Sequence, residues 1–367
     1  DVKSGINVPS GTNSAMDGYA VRADDIPNDG TRELRLIGTA FAGKPLRNAL
    51  KPGTAARIMT GGILPDGADT VIIQEQVEQR GDVVVIASGT RRADNVRMAG
   101  EDIRIGDTVL RRGIRFTPAD LGLLASLGIG EVEIVRRPRV AFFSTGDELR
   151  SVGEKLGKGE IYDSNRYTLF GMLSRLGAEI TDMGVVRDER GATEAAFLKA
   201  AANADVIITS GGVSVGEADY VKETLNKVGK VEFWKVAMKP GRPLAFGRVK
   251  DAWFFGLPGN PVSVMVTFYQ FVQPALRRLM GEPDAAMLTI RVPCLSKLKK
   301  RPGRVEYQRG ILDRDDQGQL TVKKTGAQGS GILSSMSQAN CFIILPMEST
   351  GIESGTLVDV QPFFGIV

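Results

Sequence analysis

The sequence contains no histidine and only two cysteines, Cys294 and Cys341, among its 367 residues. The absence of imidazole excludes a Ser-His-Asp triad, a histidine general base and histidine metal ligands. The two cysteines lie far apart and do not have the spacing of a metal-binding motif. Any bound metal is therefore expected to have oxygen ligands, which favours a hard cation such as Mg²⁺.

A membrane span, a signal peptide and a strong charge imbalance are also missing. No apolar run approaches the roughly 20 residues that a bilayer requires. The net charge of +4 and the pI of about 9.0 are too mild to indicate nucleic-acid binding, because acids are mixed among the bases. Sparse cysteine favours a reducing, cytoplasmic setting. The chain opens at Asp1 without a Met, so we expect the natural N-terminus to lie upstream. A targeting segment that is removed from the protein remains an open alternative.

The first part of the chain reads as β structure. A small barrel or sandwich is predicted by short β-rich runs between Gly and Pro turns, at 33–38, 54–59, 70–74 and 83–87. A helix is then predicted at 119–127, with Thr117 as N-cap and Pro118 at its first position.

Strands and helices alternate from Arg139 onward, which predicts βαβ units and a mostly parallel sheet. The predicted helices include 165–176, 194–202 with Thr193 as N-cap, 220–228, and a long apolar helix at 262–279. After Pro283 the pattern returns to short strands and turns, which predicts a second small β domain.

Three loops, 143–148, 209–219 and 256–261, each follow a short apolar run that is typical of a buried strand. Ligands bind beyond the carboxyl ends of parallel strands, where Gly-rich turns meet helix N-termini. Exposed N–H groups there accept anions, and acids in the first two loops suggest a metal beside the anion. The predicted substrate is therefore phosphorylated, and its predicted contacts are Ser144, Thr145, Gly146, Ser210, Gly211, Gly212 and Ser214.

Each of these patterns has a plainer alternative. Asp219 can be only an N-cap, and 144–148 can be a turn with solvated acids. The segment 13–19 can be a surface turn, and 235–243, with Lys235, Lys239 and Arg242, can be a solvated hairpin instead of an anion clamp. The run 297–301 reads most simply as a solvated basic edge.

Seven motifs occur in one order: Asn13-Ser-Ala-Met-Asp-Gly-Tyr-Ala20, Ile58-Met-Thr-Gly61, Gly100-Glu-Asp102, Ser144-Thr-Gly-Asp-Glu-Leu149, Ser210-Gly-Gly-Val-Ser-Val-Gly-Glu-Ala-Asp-Tyr220, Lys239-Pro-Gly241 and Leu257-Pro-Gly-Asn-Pro-Val-Ser263. Together they resemble the molybdopterin molybdenumtransferase family, which includes the bacterial molybdenum-insertion protein and the C-terminal domain of gephyrin. The resemblance covers essentially the whole chain, but the family's first forty to fifty residues or so are absent.

The resemblance implies an α/β plus β protein whose central α/β domain, with a mostly parallel sheet, is flanked by small β-barrel-like domains and an elongated linking domain. The implied bounds are 1–6 with 101–136 for the linking domain, 7–100 for a β-rich domain, 137–286 for the α/β molybdopterin-binding domain and 287–367 for the C-terminal domain. The implied enzyme inserts molybdenum from molybdate into adenylylated molybdopterin with Mg²⁺ and releases AMP. It is a homodimer whose cleft borrows residues from the partner.

Position by position, the resemblance implies catalytic roles for Asp17, Asp102, Glu148, Asp188 and Asp219, with Glu148 and Asp219 as metal ligands. It also implies substrate contacts for Thr60, Arg97, Lys235, Lys239, Pro258, Pro261, Arg309 and Ser330. Because molybdate is a tetrahedral dianion, we expect Lys239, Arg242, Ser263, Arg309 and Ser330 to bind it.

One position departs from the family: Ala327 stands where relatives commonly have His. Two alternative functions remain, a molybdopterin adenylyltransferase and a gephyrin-like interaction scaffold. The first is normally far shorter, and the second would not require the site acids. Molybdopterin adenylyltransferase and molybdoenzyme-maturation proteins are possible partners, and neither nucleic acid nor membrane is expected to bind.

Overall fold

The computed structural model describes residues 1–187, 189–212, 220–284 and 286–363. The chain forms two compact units, Asp1–Glu133 and Ile134–Val367. Within the described residues, every helix is too short or too polar to cross a membrane.

The first unit is built mainly of strands. Its elements are β1 Val2–Lys3, β2 Asn13–Ser14, β3 Gly18–Val21, β4 Thr31–Ala40, β5 Thr54–Ile58, β6 Thr70–Ile73, β7 Val77–Arg80, β8 Val83–Ala87, β9 Val96–Arg97, β10 Thr108–Leu110 and α1 Pro118–Ser126. Six strands form one sheet in the order β6-β3-β5-β4-β8-β7, and the remaining strands pair as β1-β10 and β2-β9.

Sequence patterns predicted most of these elements. Thr117 caps α1 as expected, because its hydroxyl accepts from the Asp120 N–H while the Asp120 carboxylate accepts from the Thr117 N–H. The alternative of a surface turn at 13–19 is right only for the middle of the segment, where residues 15–17 form a bend with Met16 and Asp17 exposed. Asn13 and Ser14 form a buried strand and all of β3 is buried, since its alternating side chains contact apolar residues on both faces of the sheet.

The second unit begins with a three-layer α/β/α arrangement. Its elements are β11 Arg139–Thr145, β12 Leu149–Arg150, β13 Ile161–Tyr162, α2 Ser164–Leu176, β14 Glu179–Val186, α3 Arg190–Asn203, β15 Val206–Ser210, α4 Tyr220–Val228, β16 Gly229–Lys235, β17 Met238–Lys239, β18 Pro243–Val249, β19 Ala252–Leu257, α5 Pro261–Thr267 and α6 Gln273–Leu279. A π-helical turn, Phe268–Val272, joins α5 to α6.

The central sheet has the order β14-β11-β15-β19-β18-β16. The first four strands are parallel, and β18 and β16 add antiparallel partners at one side. Apolar side chains of α2, α5 and α6 pack on one face, and those of α3 and α4 pack on the other. The prediction of a mostly parallel sheet in an α/β domain is confirmed.

Two predicted details are wrong. The N-cap of α3 is Glu189 and not Thr193, which lies buried inside the first turn. Buried Thr193 packs as part of the helix, so its hydroxyl does not mark the helix start. The long helix at 262–279 is interrupted by the π-helical turn, in which Phe268 and Val272 are both buried.

The end of the second unit is a further six-stranded sheet. Its elements are β20 Ile290–Pro293, β21 Leu298–Lys299, β22 Val305–Arg314, β23 Leu320–Lys324, α7 Leu333–Gln338, β24 Cys341–Leu345, β25 Gly351–Ile352 and β26 Leu357–Pro362. The order is β17-β22-β24-β26-β20, with β23 on β22. Because β17 belongs to the loop between β16 and β18, this pairing attaches the Lys239 turn to the C-terminal sheet.

Candidate functional site

The carboxyl ends of β11 and β15 carry four buried hydroxyl groups, of which three have no hydrogen-bond partner among the described residues. Ser144, Thr145, Thr209 and Ser210 are all buried at these adjacent strand ends. The Oγ of Ser144 and the Oγ1 atoms of Thr145 and Thr209 make no hydrogen bond in the described structure. Buried polar groups are nearly always paired, so these three atoms indicate a place that a polar ligand completes.

The start of α2 adds two more such groups. Asp163 caps the helix, because its Oδ1 accepts from the Arg166 N–H at 3.1 Å. Its other oxygen, Oδ2, has no hydrogen-bond partner among the described residues, although Asp163 is only 2 % exposed. A buried carboxylate oxygen without a donor is costly. The position therefore favours a ligand that brings a hydrogen-bond donor or a cation.

Asn165 holds two of the predicted loops together. Its Nδ2 donates to the Ser210 Oγ at 2.7 Å and to the Gly259 carbonyl oxygen at 2.7 Å. Its Oδ1 is buried and unpaired. One amide thus joins the loop after β15 to the loop after β19 and still presents a free acceptor.

Glycine permits the closest contact between the loops. A Cβ on Gly211, whose φ is +89°, would lie 2.5 Å from the Thr145 carbonyl oxygen. The Gly211 N–H also donates to the Leu257 carbonyl at 3.1 Å. The neighbouring Gly212 has a positive φ of +67°. Glycine at 211 therefore lets the ends of β11, β15 and β19 meet.

Glu148 lies on the exposed side of this loop cluster. A Cβ on Gly146 would meet the Glu148 carboxylate at 2.7 Å, so that carboxylate folds back over the strand end. The pairing of β12 with β13 then connects the Glu148 loop to the start of α2, where Asp163 N–H donates to the Arg150 carbonyl at 3.0 Å. Among the described residues, no three His, Cys, Asp or Glu side chains form a metal-binding group.

The start of α5 contacts the C-terminal sheet region. Pro258 is buried, Pro261 opens the helix, and Ser263 is 4 % exposed in its first turn. The Val262 N–H donates to the Ser330 carbonyl at 3.0 Å. This hydrogen bond places Ser330 beside the residue that precedes Ser263.

The basic turn is attached to the same region. Lys239 Nζ lies 3.1 Å from Glu306 Oε1, and the Val305 N–H donates to the Ala237 carbonyl. Lys235 and Arg242 are exposed, and neither has an ion pair within the described part of the chain. Within the described residues, the turn therefore presents one cation with an ion pair and two without.

Arg309 is the largest fully buried side chain of the described structure, at 1 % exposure. Its Nε donates to Ser335 Oγ at 3.0 Å and its Nη2 to the Gly329 carbonyl at 2.9 Å. No carboxylate of the described residues lies within ion-pair distance. Burial lowers the pKa of the guanidinium to about 10, which leaves it charged at neutral pH.

A cavity of about 460 Å³ lies between the basic turn and the C-terminal sheet. Its wall includes Lys239, Arg309 and Ala327, together with Lys297, Lys299 and Lys324. The run 297–301 was interpreted as a solvated edge. That interpretation is incomplete, because Lys297 and Lys299 line the cavity and Lys300 is buried with its Nζ donating to three carbonyl groups.

The first unit contains a separate group of predicted residues. Asp17 Oδ1 accepts from the Thr60 N–H at 2.7 Å and from the Thr60 hydroxyl at 2.8 Å. These two hydrogen bonds, the backbone one above all, hold the pKa of Asp17 below its usual value. Arg97 pairs with Asn13 across β2 and β9, and Asp102 is exposed beside the β-bridge between Val8 and Ile103.

The structure therefore brings together the predicted residues at 144–146, 148, 210–212, 258, 261 and 263. Lys239 and Arg309 line the same cavity, and Asp17 accepts hydrogen bonds from Thr60. Asp188, Ser214 and Asp219 lie outside the described residues. Sequence reasoning missed Asp163 and Asn165, and it included Thr209 only as the first residue of the predicted loop 209–219. Asp163 and Asn165 belong to an Asp-Ser-Asn run at the start of α2, which marks a helix N-terminus but not a ligand site.

Three family models match successive parts of the chain. The MoeA N-terminal region (domain I and II) matches residues 1–128, the probable molybdopterin binding domain matches 141–278, and the MoeA C-terminal region (domain IV) matches 291–363.

Full-length relatives agree with these matches. The chain is 47 % identical to a molybdopterin molybdenumtransferase of Haemophilus influenzae over 99 % of its own length and 90 % of the relative. It is 38 % identical to one of Nostoc, over 96 % and 83 %. The crystal structure of a molybdopterin biosynthesis MoeA protein from Pyrococcus horikoshii superposes with a TM-score of 0.84 at 32 % identity, covering 100 % of this chain and 91 % of that one.

Proposed function

Because the chain belongs to the molybdopterin molybdenumtransferase family, we propose that it transfers molybdenum from molybdate to the dithiolene of adenylylated molybdopterin and releases AMP. The protein is a transferase with a role in molybdenum cofactor biosynthesis. The proposed reaction has two parts. Water cleaves the phosphoanhydride to AMP and the pterin phosphate. The two dithiolene S–H groups then form two Mo–S bonds, and one oxygen of molybdate leaves as water with the two protons that the thiols release.

The set of unpaired buried polar atoms at the ends of β11 and β15 carries this proposal. Ser144, Thr145, Thr209, Asp163 and Asn165 all contribute an atom. A site with several hydroxyls, one amide oxygen and one carboxylate oxygen suits a ligand with many donors and acceptors, such as a pterin with its pyrophosphate. Gly211 and Gly212 leave the backbone accessible to that ligand.

The oxyanion is proposed to bind at the cavity between the basic turn and the C-terminal sheet. Arg309 supports this assignment, because it is a buried guanidinium without a carboxylate in the described structure. Lys239 lines the same cavity, and the Ser330 carbonyl accepts from the Val262 N–H at the start of α5, one residue before Ser263. A dianion there would compensate charge that the protein itself leaves uncompensated.

The carboxylates of the site suit Mg²⁺ if water and substrate phosphate supply its remaining ligands. The ion commonly uses one or two carboxylates and completes its shell with water and substrate phosphate. Glu148 is exposed at the end of β11 and supplies one such carboxylate, and Asp219 is proposed as the second. When bound, the ion neutralises charge on the pyrophosphate. The chain's own contribution is positioning and charge compensation, and it requires no histidine base.

The test is incubation with adenylylated molybdopterin, molybdate and Mg²⁺, with AMP as the readout. AMP release that requires molybdate is expected, and its absence with folded protein would refute the function. Glu148→Gln, which keeps shape but removes charge, is expected to slow AMP release at least about tenfold. Glu154→Gln is the matched control, since Glu154 is an exposed acid in the next loop, between β12 and β13, and its substitution is expected to leave AMP release unchanged.

We further propose that the enzyme is a homodimer in the cytoplasm, in which Asp17, Thr60, Arg97 and Asp102 of one chain serve the site of the partner. The four-domain division at the bounds given above belongs to the same proposal. Sedimentation at micromolar concentration is expected to give a dimer, and a monomer with full activity would contradict the shared site. Molybdopterin adenylyltransferase and molybdoenzyme-maturation proteins are the proposed upstream and downstream partners.

A further inference from the structure

We propose that Lys299 and Lys324, with Lys297 beside them, form an outer collecting site for tetrahedral dianions at the cavity that contains Arg309. The site would concentrate molybdate before it reaches the buried guanidinium. This inference rests on the proposed function only in naming molybdate as the dianion that is used.

The charge of the cavity wall is strongly unbalanced. Five of its residues are cations, namely Lys239, Lys297, Lys299, Lys324 and Arg309, and Glu306 is the single acid among the lining residues. Glu306 is 4 % exposed and already bonds to Lys239 and to the Gln308 amide. The wall therefore has a positive potential that its own carboxylate does not cancel.

Two of the four lysines, like Arg309, have no acidic partner in the described structure. Lys297 pairs with Glu353 at 2.7 Å, but Lys299 and Lys324 make no ion pair with a described residue. Both are exposed, whereas Arg309 is 1 % exposed. The exposure difference separates an outer group of lysines, in contact with water, from an inner guanidinium.

The backbone holds the outer lysines in place. The Leu295 N–H donates to the Val322 carbonyl at 2.8 Å, and the Lys324 N–H donates to the Ser296 hydroxyl at 3.1 Å. The Gln308 amide donates to the Lys299 carbonyl at 3.3 Å, which attaches Lys299 to the strand that carries Arg309. Lys299 on β21 and Lys324 on β23 are like charges that line the same cavity, and an anion bound between them relieves their repulsion.

The size of the cavity agrees with more than one binding position. A volume of about 460 Å³ exceeds that of one tetrahedral oxyanion, which is on the order of 100 Å³ by comparison with ~30 Å³ for a water molecule. A hydrated dianion at the lysines and a second position at Arg309 can both be accommodated.

The expected kinetic effect follows from exposure. Exposed charges act on association and are screened by salt, with a Debye length of about 8 Å at physiological ionic strength. The double variant Lys299→Gln/Lys324→Gln is expected to raise KM for molybdate about tenfold at low salt and about twofold at 0.5 M salt. The kcat and the KM for adenylylated molybdopterin are expected to stay unchanged. Sulfate is expected to compete less with molybdate in this variant, because the lysines recognise charge and shape and not the metal.

The matched control is Lys323→Gln/Lys230→Gln, which removes two exposed lysines that do not line the cavity. Lys323 precedes Lys324 on β23, so its side chain projects to the opposite face of the strand. An equal rise of KM in the control would overturn the collecting site and assign the effect to net charge. An unchanged KM at low salt in the Lys299/Lys324 variant would also overturn it.

Equilibrium binding of molybdate to the protein alone, by dialysis or calorimetry, separates this inference from the proposed function. Weaker binding by the Lys299/Lys324 variant than by its control at low salt supports the collecting site, even if the parent protein releases no AMP. Equal binding by the two variants refutes it, even if AMP release is normal. Matching melting curves for both variants confirm that the fold is intact.

Discussion

Replacement of Asp163 by Asn is expected to make the unliganded protein more stable and the enzyme slower. Asn is as good an N-cap as Asp, so the hydrogen bond from the Arg166 N–H at 3.1 Å is retained. The substitution removes a carboxylate whose Oδ2 is buried and unpaired. Removal of a partly compensated buried charge is expected to stabilise the fold by about 1 kcal/mol, which raises Tm by roughly 2–4 °C for a unit of this size.

The same change removes an acceptor that the ligand is expected to use. Loss of a charge-assisted hydrogen bond costs about 1.5–3 kcal/mol, so kcat/KM for adenylylated molybdopterin is expected to fall roughly ten- to a hundredfold. Differential scanning calorimetry of the unliganded protein and AMP release measure the two effects. Asp163→Ala is the comparison, since it also loses the cap and is expected to destabilise by about 1 kcal/mol. A lower Tm with unchanged kcat/KM for Asp163→Asn would show that Asp163 serves only the fold.

Three further outcomes are expected. Gly211→Ala is expected to lower both stability and AMP release, because its Cβ would lie 2.5 Å from the Thr145 carbonyl oxygen. Gly153, at φ +97°, has open space around it, so Gly153→Ala measures the cost of the backbone dihedral alone. Equal losses of stability in the two variants would contradict the steric argument. Hydrogen bonding to Arg136 is the main reason that the pKa of Asp205 lies well below its usual value. The ionised Asp205 is therefore expected to contribute about 1 kcal/mol to the free energy of unfolding above the unfolded-state pKa of about 3.9. This contribution is lost as the pH falls through the lower pKa of the folded state. Denaturant titrations of Asp205→Asn and parent should therefore differ at pH 7 and converge in acid, and a constant difference would refute this. In the Ala327→His variant, KM for molybdate is expected to decrease as the pH is lowered from 8 to 6, because the imidazole becomes charged. In the parent, whose cavity cations are lysines and an arginine, KM for molybdate is expected to stay constant over this range. A constant KM in the variant would show that side chain 327 lies away from the oxyanion.

Local sequence patterns predicted the elements that have strong local causes. The capped helix after Thr117, the strand Glu179–Val186 and the helix Tyr220–Val228 follow from capping residues and from apolar periodicity. The strand Gly18–Val21 was missed because both of its faces are buried, so no alternation marks it. The start of α3 was misplaced because Thr193 has the chemistry of a cap but lies buried inside the helix.

The candidate site was predictable only in part. Loops after apolar runs pointed to 144–148 and to the residues from Ser210, because the ends of parallel strands share one edge. The lysines at 297–299 looked like an ordinary basic edge until their strands were placed beside Arg309. Nothing local distinguishes Asp163, a common helix cap, from a buried carboxylate with a free oxygen.

The sequence by itself determined the α/β class, the order of the loops and the absence of imidazole chemistry, because these depend on residue identity and on short-range periodicity. The tertiary structure alone decided which polar atoms lose water without gaining a partner. Asp163 Oδ2, Asn165 Oδ1 and the hydroxyl of Thr209 became unpaired because distant segments bury them. Desolvation depends on what packs around an atom, and that is a property of the folded chain and not of its neighbours in sequence.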